Sequence, residues 1–308
     1  TQSIIYVMVV NLLRWHYSTW RPSWHIDFGP VKRMFPFSVK ILGAGLADAI
    51  NNNILNILLG HFFTKRDAGS YNQAYQWNSK CSYLVQGMVN SVAQPVFVDL
   101  NDNGPRQLNA MRKLVRFTAF IAFPLIFGLG LISREFIIIT ITEKWLFSAE
   151  LLKLLCLGGW SYPIIWIFNN MIISKGRSSL NLLSTTLFGL CQIIIMVVIH
   201  SMGIRAMVIG YVSLNIIWTF FLFALTSRLT GYKLWDFLKD LLPFGLAAMG
   251  VMMVTGWLTR PIVSLVWLLV ARIFIAAVLY YIVMRLAKAQ ILFECQDFVI
   301  SRLRKHKE

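Results

Sequence analysis

The sequence predicts an all-α, polytopic membrane protein, and three observations carry that prediction. Of its 308 residues, 57% are hydrophobic and only 14% charged, and mean hydropathy is +0.63, whereas soluble domains are about 25% charged. Apolar runs that approach or exceed the roughly 18–20 residues needed to cross a bilayer recur along the chain. Lys and Arg gather in every second connection between those runs, as the positive-inside rule requires.

The elements follow in order. Residues 3–13, SIIYVMVVNLL, are apolar but too short to span alone, and they lack the basic leader and cleavage site of a signal peptide. They read as the end of a helix, a partial span, and the chain reads as the C-terminal piece of a longer protein. Residues 14–34 are basic, contain Pro22 and Pro30, and place Trp15, Trp20 and Trp24 for headgroup depth, which predicts a cytoplasmic linker. Eight full spans are expected near 35–62, 76–98, 114–133, 150–173, 180–200, 205–227, 241–259 and 262–285. The tail, 286–308, sets Ile291, Phe298, Ile300 and Leu303 among charges and reads as a basic amphipathic helix resting on the membrane surface.

Orientation follows from the basic residues. Arg14, Arg21, Lys32, Arg33, Arg106, Arg112, Lys113, Arg116, Lys175, Arg177, Arg228, Lys233, Lys239 and the six of the tail fall on one side. Lys65, Arg66, Arg134, Lys144, Arg205 and Arg260 fall on the other, a ratio of roughly three to one that puts the first set and the C-terminus in the cytoplasm. A net charge of +16 would raise nucleic-acid binding in a soluble domain. Here its distribution serves topology, and no nucleic-acid partner is expected.

Other chemistries lack their signatures. Cys81, Cys156, Cys191 and Cys295 show no CxxC spacing, and His16, His25, His61, His200 and His306 are scattered, so neither disulfide nor metal site is expected. KGRSS (175–179) has the wrong order for a phosphate-binding loop. With no clustered catalytic carboxylates or nucleophile–base pair, an enzyme is not expected.

The informative residues are polar ones inside spans. A charged group at a helix centre costs about 2.5–3.5 kcal/mol on insertion scales and therefore faces protein or water rather than lipid. At about 100° per residue, Lys40 and Asn51 fall within about 20° of each other, Asp48 about 80° from Lys40, and Asn52 about 40° further on. The next span carries Lys80, Gln86, Asn90 and Gln94, and the last full span carries Arg272. Two successive polar-striped helices predict a shared water-filled cleft. The competing readings are that the lysines snorkel to the interfaces, that Asp48 pairs with Lys40 or Arg272, and that the amides are interhelical glue. Pro124, Gly128 and Gly130 offer a kink or gate in the third span.

Several phrases, in this order, resemble the polysaccharide-transporter family of the multidrug/oligosaccharidyl-lipid/polysaccharide exporter superfamily. They are GHFFTKRDAGSYNQAY (60–75), QPVFVDL (94–100), FPLIFGLGLISREFI (123–137) with EKW (143–145), and NNMIISKGRSSLNL (169–182). The resemblance covers nearly the whole chain but only the family's later part. It implies a second six-helix lobe over 35–227, two additional helices over 228–285, and a first lobe of which only residues 1–13 remain. It also implies a flippase for undecaprenyl-linked oligosaccharide in the bacterial inner membrane, working by alternating access, with partners among membrane lipids and other polysaccharide-assembly proteins. No cofactor is implied beyond coupling to H+ or Na+. Since the family's first two helices of each lobe line its cavity, the resemblance points to a cationic lumen. Lys40, Lys80 and Arg272 would contact phosphate, and Asn51, Asn52, Gln86 and Asn90 would contact sugar hydroxyls. Asp48 stands between ion coupling and a structural pair. An ion-coupled drug antiporter of the same superfamily, a membrane-embedded transferase of envelope polymers and a non-transporting scaffold remain as alternatives.

Overall fold

The structure is a computed structural model that describes residues 2–17 and 28–294. Every regular element among them is helical, in the order α1 (Gln2–Tyr17), α2 (Gly29–Phe62), α3 (Lys65–Asp99), α4 (Gly104–Leu131), α5 (Ser133–Thr140), α6 (Leu146–Gly158), α7 (Ser161–Ser174), α8 (Ser178–Ile199), α9 (Ile204–Thr230), α10 (Leu234–Leu258) and α11 (Leu265–Leu286). Six stretches are long and apolar enough to cross a membrane: Gly104–Leu131, Glu143–Ser174, Ser178–Met202, Ile204–Thr230, Leu234–Leu258 and Leu265–Leu286. The chain is a multi-pass membrane protein. α2 and α3 are longer than any of the six, with 34 and 35 residues, but their polar content keeps them outside that set.

Two compact units divide the chain, Thr1–Lys40 and Ile41–Glu308. The first contains α1 and the opening turns of α2. Trp20 and Trp24 lie outside the described residues, as do Phe298, Ile300 and Leu303 of the tail. At the tail's start, Ile291 and Leu292 are 3% and 7% exposed, and Glu294 pairs with Lys113 at 2.6 Å. Ile291 and Leu292 are thus packed on protein.

In the second unit α3 is the central helix, packed on α4, α6 and α7. Thr64 caps it by accepting from the Asp67 amide at 3.2 Å, satisfying one of the orphan donors of the first turn. Its buried residues, Tyr71, Ala74, Asn78, Ser82, Val85, Val89, Ala93 and Phe97, recur every three or four positions, which is the spacing of one helix face. Asn103 caps α4 by accepting from the Arg106 amide at 3.2 Å. Gly231 ends α9 in the left-handed conformation, φ +74, where a Cβ would be strained.

The span expected near 150–173 falls within the single stretch Glu143–Ser174, where the helix is interrupted between α6 and α7 while Gly159 and Trp160 keep right-handed helical angles. The break falls between Gly158 and Ser161, and the local sequence explains it. Pro163 has no amide hydrogen, and its ring crowds the carbonyl four residues earlier, that of Gly159. That carbonyl accepts from Ser82 Oγ on α3 at 3.3 Å instead. The two glycines allow the close approach. A Cβ on Gly158 would lie 2.8 Å from Val212 Cγ1 of α9, and one on Gly159 would lie 2.6 Å from Asn78 Oδ1. Small residues that let helices touch are the usual packing device where lipid supplies no hydrophobic drive.

α10 and α11 pack against one another and against α4. Arg112 of α4 donates twice to the buried Asp240 of α10, from Nε at 2.8 Å and from Nη2 at 3.3 Å. Tyr232, just before α10, donates to the same carboxylate at 2.7 Å.

Candidate functional site

A polar cavity lies within the second unit. Its lining comes from Asp48 and Asn52 of α2, Tyr83 of α3, Tyr162, Ile165, Trp166 and Asn169 of α7, Ser184, Thr185 and Phe188 of α8, and Asn215 and Trp218 of α9. Its volume is about 90 Å³, room for about three water molecules. The Gly158–Ser161 break starts α7 beside it, so the discontinuous helix delivers four of the lining side chains.

Hydrogen bonding decides what this cavity presents. Asn52 donates its amide to Asp48 Oδ2 at 3.3 Å and accepts from the Tyr75 hydroxyl at 3.5 Å. Ser184 and Thr185 both donate to the carbonyl of Asn181, each at 2.9 Å. Asn215 donates to the Tyr211 carbonyl at 2.8 Å, and the Tyr162 and Tyr211 hydroxyls are bonded to each other. One donor of each of these groups is thus committed to protein, while Asn169 Oδ1 and Asn215 Oδ1 are buried without a hydrogen-bond partner. The cavity offers lone pairs around one carboxylate, and no lysine or arginine lines it. Hard oxygen donors of this kind suit a proton or a hard cation.

α2 is held in place from behind by Asn51, which is 7% exposed. Its side chain donates to the Thr185 carbonyl at 2.9 Å, and its own carbonyl accepts from Gln192 at 3.2 Å. Gly189 of α8 makes room for it, since a Cβ there would run into the Asn51 carboxamide.

Comparison with known proteins gives this fold a context. Residues 1–150 match the family model described as "Polysaccharide biosynthesis protein". Over these residues the chain is similar to polysaccharide biosynthesis proteins. It is 28% identical over 161 residues to the teichuronic acid biosynthesis protein TuaB of Bacillus subtilis (strain 168), covering 52% of this chain and 33% of that one. It is 24% identical over 173 residues to the lipopolysaccharide biosynthesis protein WzxC of Escherichia coli (strain K12), covering 55% of this chain and 35% of that one. The matched stretch thus spans about a third of each relative's length. In fold, the chain is similar to a solved structure of the lipid II flippase MurJ, inward closed conformation. The TM-score is 0.64 at 19% identity, over 90% of this chain and 58% of that one. The family match ends at residue 150, short of the near-complete coverage expected from the quoted phrases, whereas the fold likeness takes in most of the chain.

The expected constellation divides. Asp48 and Asn52 line the cavity, and Asn51 braces its wall. Lys80, Gln86 and Asn90 are not in the lining. Lys80 is exposed on the face of α3 away from the buried stripe, its ammonium 4.2 Å from the Trp77 ring centroid. Gln86 is buried at 8% exposure. Asn90 accepts from Asn170 at 3.1 Å and borders a separate, open recess with Gln94, Pro95, Val98 and Asp99. Arg272 pairs with Glu135 at 2.9 Å, not with Asp48. It also donates to Thr259 Oγ1 at 3.2 Å and to the Leu131 carbonyl at 3.1 Å. Lys40 belongs to the first unit. Of the expected residues, this cavity takes in the acidic Asp48 and the amide Asn52, and none of the three cations lines it. Lys80 meets the Trp77 ring and Arg272 meets the Glu135 carboxylate instead.

Sequence reasoning missed Asn169, Ser184, Thr185 and Asn215. Each is a polar residue inside an otherwise apolar span, and that was the available signal. The aromatic members, Tyr83, Tyr162, Trp166 and Trp218, carry no comparable mark among the chain's many aromatics.

Proposed function

We propose that the chain forms part of a flippase that moves a lipid-linked polysaccharide precursor across the bacterial inner membrane by alternating access. The Asp48 cavity is its coupling site, taking H+ or Na+. The observation that carries the reading is the cavity itself: the Asp48 carboxylate beside two unpartnered amide oxygens, lined in part by the helix that follows the α6–α7 interruption. Intramembrane ionisable groups mark ion and proton pathways, and broken helices recur at the ion sites of secondary transporters. The names of the relatives, one in teichuronic acid and one in lipopolysaccharide biosynthesis, support a polysaccharide precursor as cargo. At about 90 Å³ the cavity is too small for an oligosaccharide, so cargo would travel elsewhere and the cavity would hold the ion.

The test is complementation of a flippase-deficient strain by the full-length protein and its Asp48→Asn variant at matched membrane levels. Complementation by the parent and its loss in Asp48→Asn, with Na+ or proton dependence of the parent, is expected. Full complementation by Asp48→Asn removes the cavity from the mechanism.

The acidic lining favours a second reading, an ion-coupled antiporter of the same superfamily. It predicts resistance to cationic drugs on overexpression and no complementation.

A further inference from the structure

Away from the Asp48 cavity, two grooves meet at Arg272. One, of about 610 Å³, runs between α4 and α11 over Ile121, Pro124, Leu125, Ile273, Ala276 and Ala277 and is almost wholly apolar. The other, of about 650 Å³, is bordered by Arg134, Lys153, Arg260, the Arg272–Glu135 pair and, below them, Met249 and Met253. Both share Leu131, Met252 and Arg272, and both fall in the roughly 300–1,000 Å³ range of ligand-sized clefts.

The charge on the second groove is not internally balanced. Glu135 is 4% exposed and is neutralised by Arg272. Arg134, Lys153 and Arg260 are all exposed, and among the described residues none has an ion-pair partner. All three border the same groove. Arg134 follows the end of α4, Arg260 follows the end of α10, and Lys153 stands two turns into α6. Trp257, 65% exposed, borders the same groove, and tryptophan marks the headgroup level of a bilayer. Polar cations thus stand over an apolar trough, which is the pattern of a lipid: headgroup above, chains below.

We propose that this groove holds an acidic glycerophospholipid of the surrounding bilayer, its phosphate between Arg134, Lys153 and Arg260 and its acyl chains along α4 and α11. Arginine pairs with phosphate through two parallel hydrogen bonds. Three unbalanced cations select a net-negative headgroup over a zwitterionic one. The site is independent of the transport reading and of Asp48.

The experiment is native mass spectrometry of the full chain in detergent, stripped of lipid and titrated with dioleoyl phosphatidylglycerol, dioleoyl phosphatidylcholine or undecaprenyl phosphate. Phosphatidylglycerol is expected to bind more tightly than phosphatidylcholine, with about fivefold contributed by each basic side chain near the headgroup. The triple variant Arg134→Gln, Lys153→Gln, Arg260→Gln should lose that preference. A control triple, Arg177→Gln, Arg228→Gln, Lys233→Gln, which removes the same charge elsewhere, should keep it. Equal binding of the two phospholipids by the parent, or a preference that survives the first triple, overturns the proposal. Displacement of phosphatidylglycerol by equimolar undecaprenyl phosphate overturns it too, assigning the groove to a phosphorylated polyprenol.

Discussion

Arg112 and Asp240 tie α4 to α10 by a forked contact, Nε and Nη2 at 2.8 and 3.3 Å from the two carboxylate oxygens. Arg116 stands 3.7 Å from the same carboxylate. Removing one partner of a buried pair costs about 3–5 kcal/mol, because the other is left uncompensated. Arg112 is 28% exposed, and Tyr232 still donates to Asp240, so Arg112→Leu should cost less, about 2–3 kcal/mol. Thermal unfolding in detergent measures it. The double variant Arg112→Leu, Asp240→Leu should recover little of that loss, since removing Asp240 also takes the carboxylate from Arg116 and the acceptor from the Tyr232 hydroxyl. A single variant as stable as the parent would mean that the contact adds nothing.

Tyr232 gives the same junction an alkaline limit. Burial, and then its hydrogen bond to Asp240, push its phenol well above the ordinary value, which is about 10. A group whose folded pKa is raised contributes stability that is complete below its unfolded pKa and is lost as pH rises towards the folded one. Parent and Tyr232→Phe should therefore differ in stability by a constant amount from neutral pH to about 10, and the parent's advantage should shrink above it. Unfolding midpoints across that range read the gap. A gap that stays unchanged at the alkaline end would show that the phenol ionises alike in both states.

Arg272 was one of the residues the sequence offered for substrate phosphate, and its geometry holds it in an ion pair. It is 17% exposed and meets Glu135, 5% exposed, at 2.9 Å. Arg272→Leu should destabilise by about 3–5 kcal/mol. Arg272→Leu with Glu135→Leu should recover much of that loss and leave complementation intact. Failure of the stable double variant to complement would return Arg272 to the transport path.

The fold was readable because bilayer thickness constrains helix length and because charge alternation constrains topology. The break at Gly159 was readable in part: the Gly-Gly pair and Pro163 were present, yet an apolar run of that length looks like one unbroken helix until its neighbours are known. Asp48 and Asn52 were legible because a carboxylate in an apolar helix needs a partner. Lys80 and Arg272 drew attention by the same logic and proved to have local partners, Trp77 and Glu135. Helical angle says which face a residue takes, not which helix comes to meet it. Asn169 and Asn215 reach the cavity only through the packing of α7 and α9, which no single span encodes.

The contact between Asn51 and Gly189 offers the most direct check on the α2–α8 wall. Adding one carbon at Gly189 places it against the Asn51 carboxamide, whose amide is held by the Thr185 carbonyl at 2.9 Å. Gly189→Ala should then destabilise by about 1–3 kcal/mol, the usual cost of overpacking. Asn51→Ala should also destabilise, because it discards a buried hydrogen bond worth about 1 kcal/mol. Combined, the two should cost less than their sum, since truncating Asn51 clears the space that the new methyl needs. Denaturant unfolding of the four proteins in detergent gives the coupling energy. Strict additivity would mean that α2 and α8 do not meet at this pair, and the wall of the Asp48 cavity would have to be redrawn.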